Sequence, residues 1–113
     1  MTEKKEELVF ENGPTVTKLA EWKSMYGDVY SSSIDGTVYI WKPINRKEYK
    51  DLVKNKDADA FYKEERLCEK CVLWPADYNF MAMAMESAGV PSTLAEQIME
   101  KSGFIADAEI VKL

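Results

Sequence analysis

Apolar residues recur at helical spacing in several stretches of the chain and alternate in one. Between Thr15 and Tyr26 they fall at Val16, Leu19 and Ala20, then less regularly at Trp22 and Met25. Steps of three and four predict an amphipathic helix, closed at Gly27. "LVFENGP" before it reads as a short strand or an extended lead-in. From Val29 the period drops to two: Val29, Ser31 and Ser33 alternate with Tyr30, Ser32 and Ile34. Asp35-Gly36 then precedes Val38, Tyr39, Ile40 and Trp41. Asp-Gly between two β-prone runs predicts a hairpin over about residues 28–43, because both turn residues tolerate positive φ. Pro43 lacks the N–H a ladder needs and marks the strand end.

Asn45 followed three residues later by Glu48 is a capping-box pattern, and Tyr49, Leu52 and Val53 form the apolar face of the helix it opens. "KNKDAD" interrupts that helix. Asp57 or Asp59 can cap the next, expected from about Ala60 to Leu73 with Phe61, Cys68, Cys71 and Val72 as its apolar positions and Pro75 as its stop. "ADYNFMAMAMESAG" predicts a further helix, capped near Asp77 and closed by Gly89. The cleanest element opens at Pro91 or Ser92: Leu94, Ala95, Ile98 and Met99 share one face, and Gly103 can close it in a Schellman motif that brings Phe104 back onto Met99. A length of 113 residues suits one domain with one core. The expected fold is α+β: a mostly α-helical single domain over residues 15–104, with about five short helices and one β-hairpin. A charged arm (1–14) precedes it and a tail (105–113) follows.

The formal charge is −5, from 20 acidic and 15 basic residues, and there is no histidine. That balance argues against a nucleic-acid partner, and the commonest general base and metal-binding nitrogen is missing. "TEKKEE" after Met1 is not the apolar run of a secretory signal, so the chain is expected to stay in the cytoplasm. No apolar run approaches the ~20 residues of a membrane span. No phosphate loop, nucleophile elbow or metal cluster is present, so neither catalysis, nor a cofactor, nor a small-molecule substrate is expected.

Cys68 and Cys71 stand at CxxC spacing. A structural zinc site needs about four ligands, and here there are two. A redox CxxC opens a helix, whereas this pair lies near a predicted helix C-terminus, where the dipole disfavours a thiolate. The pair therefore reads as two core residues one turn apart. The alternative is a thiol-based redox or metal-responsive regulator using Cys68 and Cys71. In "FMAMAME", Met81 and Met85 lie ~40° apart on a helix and Met83 ~160° from each, so the three cannot share one stripe. The plain reading is a core helix with alanine gaps. The functional reading is a surface for a protein partner, since methionine adapts to apolar surfaces. The candidate partner-binding residues are thus Met81, Met83 and Met85, with the hairpin aromatics Tyr39 and Trp41 as second choice. A stacking platform built on Tyr26, Tyr30, Tyr39 and Trp41 would need a basic groove, so hairpin packing is the better account of them.

Three patterns carry a resemblance. One is the aromatic strand followed by Pro43, Arg46, Glu48 and Tyr49. The second is Cys71-Val72-Leu73-Trp74-Pro75. The third runs from Gly89-Val90-Pro91-Ser92 through Leu94, Ile98, Ser102, Gly103 and Phe104. In order and spacing, over about residues 17–104, the chain resembles a family of small proteins from contractile-tailed bacteriophages. That family is related to the baseplate hub, or central-spike, component of T-even-type phages, and overlaps with tail assembly chaperones. The resemblance implies a non-enzymatic role in tail morphogenesis in the host cytoplasm. The partners would be other tail or baseplate proteins, and the chain would either remain in the virion as a hub or baseplate component or leave as a chaperone.

Overall fold

The computed structural model describes residues 7–54, 59–104 and 110–113. Asp57, the first six residues of the charged arm and much of the tail lie outside that set. In chain order the elements are α1 (Val16–Tyr26), β1 (Tyr30–Ile34), β2 (Thr37–Trp41), α2 (Arg46–Val53), α3 (Ala60–Cys71), β3 (Val72–Trp74), α4 (Phe80–Ala84) and α5 (Val90–Lys101). The described residues thus form five helices and one three-stranded antiparallel sheet of order β1-β2-β3, an α+β fold that is mostly helical.

Local chemistry accounts for most boundaries. Asp35 and Gly36 take φ values of 50° and 78°, the two positive values that a tight hairpin turn requires, and the strands pair from Ile34↔Thr37 to Tyr30↔Trp41. Thr15 and Asp59 accept hydrogen bonds from the amides of Lys18 (3.1 Å) and Tyr62 (2.7 Å), capping α1 and α3. The capping box forms in full: the Glu48 amide donates to the Asn45 side chain, and the Asn45 amide to Glu48 Oε1. At the end of α5, Phe104 N–H donates to Met99 O and Gly103 N–H to Glu100 O, with Gly103 at φ 96°. Those two bonds are the Schellman pair. The Phe104 ring lies 4.5 Å from Tyr49, which ties this cap to α2.

Two expected helices end differently. The helix expected to reach Leu73 stops at Cys71, and Val72–Trp74 form a third strand on β2, with Trp41↔Val72 and Ile40↔Trp74 paired around a bulge. A β-branched residue, an aromatic and a following proline all favour extended backbone. The Lys42 amide also donates to Cys71 O at 3.0 Å, extending the contact past the end of β2. The helix expected between Asp77 and Gly89 shrinks to Phe80–Ala84. Asp77 falls within the turn closed by Tyr78 N–H to Pro75 O, so Asn79 becomes the cap, accepting from the Ala82 amide at 3.0 Å.

One face of the sheet is packed on the core, while the other is covered around Ile40 and leaves Ser31 and Ser33 exposed. Tyr39 and Trp41 point from β2 into a core completed by Leu52, Leu67, Cys68, Cys71, Val72, Met83, Leu94 and Ile98. Ile40 points the other way and is buried outside that cluster, as is Trp22 of α1. α1 contributes only Trp22 to the interior, and its expected apolar positions Val16 and Met25 are exposed. α5 is fastened to α3 at its start, where Cys68 Sγ donates to Pro91 O (3.3 Å) and Ser92 Oγ to Glu64 (2.8 Å). Lys42 is the buried charged residue among those described. Its ammonium donates to both Glu48 oxygens (3.2 and 3.1 Å) and lies 5.4 Å from the Tyr26 ring centroid.

Candidate functional site

The segment from Pro75 to Glu86 holds two largely exposed methionines next to the sheet. The Asn79 cap sets α4 so that Met83 enters the core at 5% exposure, while Met81 and Met85 stand out at 81% and 88%. Of the methionine candidates, Met81 and Met85 are therefore available to a partner. Met83 is a core residue and is not. The hairpin candidates Tyr39 and Trp41 are also buried. Trp41 stacks on Tyr30 at 5.0 Å and its Nε1–H donates to Ser32 Oγ at 2.8 Å, so it is committed to the interior. Tyr39 belongs to the site in a different way, through its hydroxyl.

Glu86, just beyond α4, is half-buried, and its carboxylate accepts from two phenols. Tyr39 O–H reaches one oxygen from β2, and Tyr78 O–H reaches the other from the turn before α4. The two rings meet edge to face with centroids 5.5 Å apart. Burial and then the carboxylate they donate to push both phenols well above their ordinary pKa, so they remain donors through the physiological range. The clamp anchors the end of α4 to β2. Beside it opens a groove of about 460 Å³, walled mostly by apolar atoms of Tyr39, Pro75, Tyr78, Ala82, Met81 and Met85, with Thr37 and Asn79 at its edge. Its charged lining residues are Asp77 and Glu86, and no lysine or arginine among the described residues lines it. The Tyr62 ring stacks on Phe80 at 6.0 Å, carrying the apolar surface toward the start of α3. Cys68 and Cys71 are buried as expected, but Phe61 is 72% exposed: it shares their face of α3 and sits in the first turn, before the buried part of the helix begins at Leu67.

The cysteines are free thiols at 0% exposure. Burial, and then the charge of neighbouring Cys71 and acidic groups, pushes Cys68 up to about 12. Burial pushes Cys71 up to about 11 although Lys42 pulls the other way. Neither thiol is exposed or ionised enough to be a nucleophile or ligand at neutral pH. A thiol whose folded pKa lies above its ordinary value of 9.0 holds its proton more tightly than the unfolded chain does. The resulting stability is complete below pH 9 and is lost as pH rises from there toward 11–12. Thermal melts should be level from pH 6 to 8 and fall above pH 9, by up to about 1.4 kcal/mol per pH unit per thiol. A melting temperature unchanged to pH 10.5 would mean that the thiols are hydrated.

Among the described residues no group of three acidic, cysteine or histidine side chains could hold a metal ion, and no helix is long and apolar enough to cross a membrane. A second groove, of about 430 Å³, lies between α2, α3 and α5 over Leu52, Leu67, Ala95 and Met99. Sequence reasoning found the methionines but missed Tyr78, Glu86 and Phe80. No periodicity links Tyr39 to Glu86, because their contact exists only once β2 and α4 are in place. No protein-family model matches the chain, and comparison with curated proteins and with solved structures finds no match.

Proposed function

We propose that this chain is a non-enzymatic protein-binding subunit that docks other proteins through the groove beside Met81 and Met85. The observation that carries the reading is that two methionines stand almost fully exposed on the wall of an apolar groove, while Met83 between them is fixed in the core. Large apolar side chains held out from a braced surface are characteristic of interaction sites, and methionine suits a partner of irregular shape. The setting of the proposal is tail or baseplate assembly in a contractile-tailed phage, as a hub or baseplate component or as an assembly chaperone in the host cytoplasm. That setting rests on the three sequence patterns, which fall on β2 and α2, on the end of α3 with β3, and on α5. Met81 and Met85 lie outside all three, so surface and setting have separate supports. The thiol-based alternative is disfavoured by the burial of both sulfurs.

Glutamate at both Met81 and Met85 tests the surface. The expected result is a melt within about 0.5 kcal/mol of the parent chain, since both positions face water. Recovery of tail proteins in a pull-down from cells assembling tails should fall about tenfold or more, because a charge in a dry interface is costly. Equal recovery by both chains would move the interface to the α2–α3–α5 groove. Mass spectrometry of purified particles separates a retained component from a departing chaperone.

A further inference from the structure

We infer that the occupant of the Met81–Met85 groove is a basic amphipathic segment: an apolar side chain seated against the two methionines, with lysine or arginine beside it facing Asp77 and Glu86. The inference rests on the docking role proposed above and adds the chemistry of the partner. The walls are apolar, the charged lining residues are two acids, and among the described residues no cation lines the groove to balance them. A partner that covers Met81 and Met85 also covers Glu86, which lines the same depression. The two phenols each give Glu86 one hydrogen bond but no positive charge. A buried carboxylate is costly to desolvate unless a cation accompanies it. An acidic or wholly apolar partner would leave that cost uncompensated, whereas a basic one offsets it. The field of the whole chain acts the same way, since its charge of −5 draws cationic segments in and repels nucleic acids and anionic membranes.

The test uses the full chain and two fluorescently labelled probes: a short amphipathic leucine–lysine peptide and its twin with glutamate in place of lysine. Binding is read by anisotropy. The lysine peptide is expected to bind and the glutamate peptide not to. Serine at both Met81 and Met85, which leaves the charge unchanged, should weaken lysine-peptide binding by about tenfold or more. Asp77→Asn should weaken it by about threefold, and Asp51→Asn, which removes the same charge from the exposed face of α2, by less than about half that. Equal effects of Asp77→Asn and Asp51→Asn would reduce the attraction to diffuse charge and overturn the inference. If the serine variant loses binding but both peptides bind the parent equally, the groove is the docking site and its preference for a basic partner is wrong. If the serine variant binds the lysine peptide as the parent does, the groove is not the site, and the docking proposal falls with the inference.

Discussion

Glu48→Ala is expected to destabilise the protein by about 2–4 kcal/mol. Removing one partner of a buried ion pair typically costs about 3–5 kcal/mol, because the other charge is left without compensation. The Lys42 side chain is only 10% exposed, and Glu48 accepts from its ammonium with both oxygens. The Glu48 side chain is 30% exposed, so water can replace part of what is lost, and the lower part of the range applies. The alanine also removes the carboxylate half of the capping box. Burial works against the Glu48 carboxylate, but the Lys42 ammonium and the Asn45 amide outweigh it and hold its carboxyl below the ordinary 4.5. The pair therefore contributes stability above about pH 4.5 and loses it as pH falls through the lower, folded value. A double variant, Lys42→Met with Glu48→Gln, should recover much of the loss, since no orphan charge remains. Urea melts decide the matter: a double variant as unstable as Glu48→Ala would show that the ammonium is already hydrated.

Leu94→Ala should cost about 2–5 kcal/mol, with Ile98→Val near 1 kcal/mol as the graded control. Leu94 and Ile98 are both fully buried on the face of α5 that meets α3, and Cys68 and Cys71 fill the opposite side. The two helices are locked at the start of α5 by the bonds to Pro91 and Ser92, so the site has little freedom to collapse around a missing isopropyl group. For a domain whose total stability is of order 5–15 kcal/mol, the loss is a large share. A midpoint in urea that shifts by no more than the Ile98→Val control would place Leu94 in a loosely packed layer.

The parts of this fold that were legible in the sequence are those fixed within a few residues. Asp35-Gly36 needs only its own backbone preference, Asn45 and Glu48 only each other, and Gly103 only the last turn of α5. What could not be read depends on residues far apart in the chain. β3 exists because Val72 and Trp74 meet Trp41 and Ile40 across some thirty positions. Val72 and Trp74-Pro75 lean toward extended backbone on their own, but only those partners make a paired strand of them. The expected long helix after Asp77 failed for the same reason, since Glu86 is fixed by Tyr39 on another element. At the site, helical geometry correctly separated Met83 from Met81 and Met85, but it could not say which side faces the core. Packing against the sheet decides that, and it also buries Tyr39 and Trp41, which composition alone made candidates.

The opposite fates of neighbouring methionines have a chemical consequence. Thioether oxidation follows access, so peroxide should convert Met81 and Met85 to sulfoxides well before Met83. Each added oxygen turns an apolar contact into a polar one on the groove wall without touching the core. Limited oxidation would then produce a chain that melts like the parent but no longer docks, and reductase treatment would restore it. Peptide mapping by mass would show Met83 unmodified in that state, and early oxygen on Met83 would mean that α4 opens.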